Sequence, residues 1–263
     1  MNRRHLVLSD LHENSEALKR FIQIAEARPG GFDDIWLLGD VFGHSVEATG
    51  AYDLTRPVLD DLMSLMRYDG YAVQGNWEYW LSHPERDPNN KDQGKYSEQL
   101  IQRRELLAGY NGRPLLDRLT RDSVLIHSEN GAPEFTLFHG CSYPCHRNSD
   151  YQPEPCECYL FPRDLNIVTR GLFGDPGHLA SPHFLFGHTH IPGYFTYSVT
   201  GMVNMWQFYT DQLKDTPVSY GDEARRFGIN PGSAGIAEKN HPRTALLLDT
   251  GEKTFTYLTD EER

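Results

Sequence analysis

The sequence predicts a layered α/β fold, and three observations predict it. Strand, helix, strand, helix and strand patterns alternate from the N-terminus to residue 76. The last third is rich in aromatic and β-branched segments with little helical period. Short polar motifs that could ligate metal stand where the apolar runs end. A length of 263 residues suits a single domain over 1–263, because α/β domains often exceed about two hundred residues.

The elements follow in order. His5 to Ser9 reads as a short buried strand and Asn14 to Ala27 as an amphipathic helix. Ala17, Leu18, Phe21, Ile22 and Ala25 recur along that helix at three- and four-residue spacing. Asn14 is placed to cap it, and Pro29-Gly30-Gly31 ends it. Ile35 to Leu38 is the next strand, and Pro57 to Met66 a helix with Val58, Leu59, Leu62, Leu65 and Met66 on one side. Tyr71 to Val73 is a third strand. A polar loop is expected at 82–95 and a helix from Lys95 to Ala108. Further strands are expected at Ser123–Ser128, Glu134–Phe138, His183–Phe186, Tyr194–Val199, Met202–Phe208, Thr244–Leu248 and Thr254–Leu258. The stretch at about 141–180 is irregular and reads as an insertion over one sheet edge.

Composition narrows the function classes. Hydrophobic residues at 38% and charged residues at 24% are compatible with a packed core. A formal charge of −12 argues against binding a nucleic-acid polymer, which requires a positive surface. It suits the capture of divalent cations, whose charge can then hold a small phosphorylated substrate. Leu6-Val7-Leu8 is too short for a signal-peptide core, and no apolar run reaches the length of a membrane helix. A soluble, cytoplasmic protein is expected, with no membrane partner; the oligomeric state is left open.

Five motifs carry the chemistry. Asp10-Leu11-His12 follows the first strand, where side-chain alternation can aim both polar groups at one cation. Gly39-Asp40, Gly75-Asn76, His139-Gly140 and Gly187-His188-Thr189-His190 follow later strands. An isolated Asp-x-His is commonly a turn, and an isolated strand-end His is commonly a core residue. The ordered series is harder to obtain by chance. It supplies Asp10, His12, Asp40, Asn76, His139, His188 and His190 at the carboxyl ends of strands, where open α/β sheets hold ligands. Imidazole with carboxylate suits divalent Mn, Fe, Zn or Ni.

This series resembles that of the calcineurin-like metallophosphoesterases, in particular a small bacterial and archaeal phosphodiesterase branch. Asn230-Pro231-Gly232-Ser233 also resembles a turn of that branch. The similarity runs from about residue 5 to 249, with apparent insertions near 80–95, 141–158 and 200–225. The resemblance implies a four-layer α-β-β-α sandwich of two mixed sheets. It implies that Asp10, His12 and His190 hold one metal, that Asn76, His139 and His188 hold the other, and that Asp40 bridges them. Asp40 and Asn76 are thereby also catalytic. Gly39-Asp40 lacks the following Asp-Arg-Gly of the protein Ser/Thr phosphatases, which counts against that branch. Where the family often has His after Gly-Asn, this chain has Trp77, whose indole cannot act as a general acid.

Other candidates surround this series. Trp77 either packs beside the site as an aromatic lid or stacks on substrate. His44 either is an exposed loop residue or protonates the leaving group. Arg243 either contacts a substrate phosphate or is a surface arginine. Cys141, Cys145, Cys156 and Cys158 either form a structural zinc site or are reduced thiols or a disulfide. The expected activity is metal-dependent hydrolysis of phosphodiesters in nucleotide-like or other small phosphorylated compounds. The alternatives are a phosphomonoesterase or protein phosphatase, or a non-catalytic scaffold of the same fold.

Overall fold

A computed structural model of the chain describes residues 3–43, 55–84, 95–141, 154–161, 181–198, 206–222, 224–238 and 240–260. The chain forms β1 (Arg4–Leu8), α1 (Ser15–Glu26), β2 (Asp34–Leu37) and α2 (Arg56–Met63), the last continued by a 3-10 turn over Ser64–Arg67. Next come α3 (Asn76–Ser82), α4 (Lys95–Gly109), α5 (Arg113–Arg118), β3 (Ser123–His127) and β4 (Pro133–Phe138). A 3-10 turn at Pro155–Glu157 precedes β5 (His183–Leu185), β6 (Gly193–Ser198), β7 (Gln207–Phe208) and β8 (Val218–Ser219). The chain closes with β9 (Arg225–Asn230), β10 (Thr244–Asp249) and β11 (Thr254–Thr259).

The strands make two mixed sheets, one in the order β2-β1-β10-β11-β8 and one in the order β3-β4-β5-β9-β6-β7. Period-two alternation assigns each strand face to a layer. Leu6, Leu8, Ile35 and Leu37 join Leu18, Phe21, Leu59 and Leu62 in the core beneath the helices. Val7, Trp36, Leu137, Leu185, Ile229 and Leu246 point the other way, into a core between the sheets. Full burial of each such aliphatic side chain contributes roughly 1.5–3 kcal/mol. On the outer face of the second sheet, Phe184, Phe186 and Phe195 pack with Cys141, Cys158 and Leu160.

Register places the site. β1 and β2 are parallel with Leu8 opposite Leu37, so the loops that follow leave at one level. In the second sheet Leu137 faces Leu185, and Leu185 faces Ile229, all in parallel pairs. Asn14 caps α1 as expected, its side-chain oxygen accepting from the Ala17 N–H at 3.0 Å.

Several elements depart from the sequence reading. The expected strand Tyr71–Val73 is a single parallel bridge between Ala72 and Leu37. The segment α3 begins at Asn76 itself, so this motif opens a short helix. The central strand β9 has no counterpart in the sequence reading. It opens with Arg225-Arg226 and contains Gly228, where a Cβ would meet the Phe195 and Phe184 rings at 2.5 and 2.6 Å. Most of the expected 82–95 loop, the first part of the expected strand Met202–Phe208 and most of the 141–180 insertion lie outside the described residues. No helix among the described residues is long and apolar enough to cross a membrane.

Candidate metal centre

All seven expected ligands are described; six are buried, and His190 is partly buried, its side chain 18% exposed. Two groups of ligand side chains could each hold an ion: Asp10, His12 and His190, and Asp40, His139 and His188. Within each group the ligand atoms lie within 4.8 Å of one another. Each group takes residues that follow strands of both sheets. Asn76 joins the second, its Oδ1 3.1 Å from His139 Nε2.

The local backbone is unusual in a way that the ligand positions require. Asp10, His12, Glu13, Asp40, His188 and His190 adopt φ values of 52°, 48°, 63°, 51°, 66° and 54°. Left-handed conformations at non-glycine residues cost on the order of 1 kcal/mol or more each. Cross-loop hydrogen bonds offset that strain. The Asp10 N–H donates to Gly39 at 3.1 Å, the His12 N–H to Asp40 at 2.9 Å and the Glu13 N–H to Val41 at 2.9 Å. The Asn230-Pro231-Gly232-Ser233 turn supports both loops. Ser233 Oγ donates to the Asp10 carbonyl at 2.8 Å, and Asn230 Nδ2 donates to the Gly187 carbonyl at 3.2 Å and to Thr189 Oγ1 at 2.9 Å. Gly187 permits this approach, since a Cβ there would stand 1.9 Å from Ser9 Oγ.

Three imidazoles are fixed by their outer nitrogens. The Nδ1 of His12 donates to the Gly43 carbonyl at 3.0 Å, and that of His139 to the Leu38 carbonyl at 2.6 Å. The Nδ1 of His190 meets Glu238 Oε1 at 3.0 Å. Each Nε2 therefore faces inward, the arrangement that prepares histidine to ligate metal. His12 Nε2 and His190 Nε2 converge to 3.2 Å, and His190 Nε2 is 3.2 Å from Asp10 Oδ1. His139 Nε2 is 3.3 Å from Asp40 Oδ2. Asp10 Oδ1 and His188 Nε2 are buried with no well-directed hydrogen bond reaching them. Buried polar atoms ordinarily find partners, so converging donors with orphaned lone pairs fit bound cations.

Electrostatics divides the histidines. Burial disfavours charge on all of them, yet the Asp40 and Asp10 carboxylates push His139 up to about 9. Burial is likewise outweighed at His190, which Asp10 and Glu238 raise to about 10. Burial, reinforced by neighbouring His139, pushes His188 down to about 3. Burial also lowers His12. Asp40 is held below the usual carboxylate range because His139 and His12 outweigh its burial.

Several supporting residues lie outside the expected motifs or at their margins. Glu78, raised to about 7 by burial and by Asp40, accepts from the backbone N–H groups of Gly75, Asp40 and Phe42. It reaches back three residues to the helix N-cap, a spacing legible in the sequence. Glu13 accepts from Gly43 N–H at 3.2 Å and pairs with Arg103 of α4. Above the ligands opens a cleft of about 320 Å³, bordered by Trp77, Tyr159, Thr189, Ile236 and Glu238.

The remaining candidates separate from this centre. Arg243 does not border the cleft and pairs with Asp260 at 2.7 Å. Cys141, Cys156 and Cys158 are buried, and neither metal group among the described residues contains cysteine. His44 and Cys145 lie outside the described residues.

A metallophosphoesterase from Sphaerobacter thermophilus is similar at 20% identity and a TM-score of 0.64, covering 99% of this chain and 89% of that one. Yfce, a phosphoesterase from E. coli, aligns at 15% identity with a TM-score of 0.45, covering 98% of this chain and 100% of that one. No curated protein sequence matches the chain. The family model for calcineurin-like phosphoesterases matches residues 3–192. With that match over most of its length and two ligand groups at its strand ends, the chain belongs to the calcineurin-like phosphoesterases, a family of dinuclear metal-dependent enzymes.

Proposed function

We propose that the chain is a two-metal phosphohydrolase that prefers small phosphodiesters, nucleotide-like compounds among them. The two candidate metal-binding groups, with Asn76 beside the second, gathered at and beneath one cleft, carry this reading. Asp10, His12 and His190 would hold one ion, and Asn76, His139 and His188 the other, with Asp40 between them. Bound divalent ions, Mn²⁺ the first candidate, supply a nucleophile at neutral pH and neutralise charge on the phosphoryl oxygens.

The protein's own groups set what can approach. The backbone N–H of Trp77 donates to Asp40 Oδ1 at 3.0 Å, holding that carboxylate in place. Among the described residues no Lys or Arg borders the cleft, while Glu238 does. A phosphomonoester dianion would meet this carboxylate with no lysine or arginine at the cleft to balance it. A diester carries one negative charge and suits the cleft better. Trp77, in the position where the family often has His, favours esters with good leaving groups.

Trp77 also supports a second reading, a scaffold that keeps the fold without turnover. Metal analysis and hydrolysis separate the two. The expected result is about two transition-metal ions per chain and Mn²⁺-dependent hydrolysis of bis-p-nitrophenyl phosphate exceeding that of p-nitrophenyl phosphate. A faster monoester reaction would make it a phosphomonoesterase. Absence of bound metal and of activity with Mn, Ni, Zn and Fe would leave the scaffold.

A further inference from the structure

The cleft has an aromatic side that the metal-ligand motifs do not account for. Tyr159 stacks on the ligand His188, with ring centroids 3.8 Å apart and planes 24° from parallel. It still exposes 41% of its surface, where the described parts of its neighbours are buried. Cys158 and Leu160 on either side enter the outer core, so alternation along the chain turns Tyr159 out toward the cleft. Phe161 lies parallel to it within 5°, at a centroid distance of 5.1 Å.

Trp77 borders the same cleft and is equally constrained. Its indole occupies the space where Gly43 (φ 95°) lacks a side chain, since a Cβ there would meet Trp77 Cγ at 2.1 Å. Trp80 packs against it edge-on at 5.4 Å. The two aromatic residues stand on elements tied to each other. Tyr79 Oη donates to Glu154 Oε1 at 3.1 Å, and Trp80 Nε1 donates to Glu157 Oε1 at 2.7 Å. Residues 154–157 are thereby fastened to α3, and Gly140 lets the backbone pass beside Pro155 and Cys158. Aromatic rings held this way bind a flat group with little loss of side-chain entropy.

We infer that Tyr159, together with Trp77, is a specificity-determining residue that favours phosphodiesters carrying a flat aromatic substituent, a nucleobase in the first instance. This rests on the phosphodiesterase reading above and narrows its substrate class. The ligand floor fixes the phosphate, Trp77 and Tyr159 offer aromatic surface beside it, and Ile236 adds an apolar border. Stacking of this kind tolerates different bases, because every base presents a π face.

Two esters with the same leaving group test the idea: thymidine 5′-(p-nitrophenyl phosphate) and methyl p-nitrophenyl phosphate. The manganese-loaded full chain should favour the thymidine ester in kcat/KM. Tyr159→Leu should lower the thymidine-to-methyl ratio about tenfold, and Tyr159→Phe should keep it. Metal content of each variant shows that the floor is intact. A wild-type ratio near one, or a Leu variant that keeps the wild-type ratio, overturns the inference while leaving the phosphodiesterase reading in place. If manganese binds and neither ester is hydrolysed, the phosphodiesterase reading fails instead. Calorimetric binding of thymidine 5′-monophosphate against methyl phosphate then reads the same preference without turnover. Equal affinities would overturn the aromatic assignment.

Discussion

The two halves of the candidate metal centre are built alike and supported differently. Each pairs a histidine that carboxylates keep protonated, His190 or His139, with one that burial keeps neutral, His12 or His188. The outer nitrogen of His139 is met by the carbonyl of Leu38, at the buried end of a core strand. That of His190 is met by Glu238, whose side chain is 48% exposed. The buried half is thus oriented by the fold itself. In the other half the Gly43 carbonyl holds His12, but His190 depends on a carboxylate that water and salt can reach.

Asp40→Asn should have the largest effect on this contrast, because the Asp40 carboxylate interacts with His139 of its own half and with His12 and Asp10 of the other. Turnover should fall about a thousandfold, the rate equivalent of the several kcal/mol a metal centre supplies, with the folded state retained. Steady-state kinetics and circular dichroism check it, and a fully active variant would remove Asp40 from the bridging position.

Glu238→Ala should separate the halves. Loss of the His190 partner should weaken one metal-binding step about 10- to 100-fold and leave the other unchanged, as read by a metal titration. Equal weakening of both steps would show that the halves act as one unit.

Protonation gives the smallest and most graded effect. A histidine must lose its proton to ligate, and His139 and His190 hold theirs until the pH approaches about 9 and about 10. Metal loading at pH 7 should therefore release about two protons per chain, one from each half. Apparent affinity should rise with pH, levelling above those values. Calorimetry in buffers of different ionisation enthalpy measures the release, and no release at pH 7 would contradict the charge assignment. Glu238→Ala should reduce the release from its own half.

The candidate ligand series was legible in the sequence because most of its members closely follow apolar strands of the two sheets. Two supporting residues, Glu238 and Arg103, were not, since their partners are distant in sequence. Glu238 meets His190 across 48 positions, and Arg103 meets Glu13 across 90. No local spacing announces such pairs. Tyr159 was hidden differently: it lies in a Pro- and Cys-rich segment without regular period, and only the burial of Cys158 and Leu160 reveals its direction. Strand β9 was obscured by its opening arginines and by Gly228, a residue normally disfavoured in strands. Here the absent side chain makes room for Phe195 and Phe184.

Each candidate ion position takes ligands from both sheets, and that has a mechanical consequence. An ion there is a rivet through the sandwich, resisting any shear of one sheet over the other. Metal occupancy and resistance to heat should then rise together, because an ion that binds the assembled sandwich and not the open chain stabilises it by mass action. The same rivet works in reverse: a core substitution between the sheets, far from any phosphate, would be felt first as a loosened grip on metal.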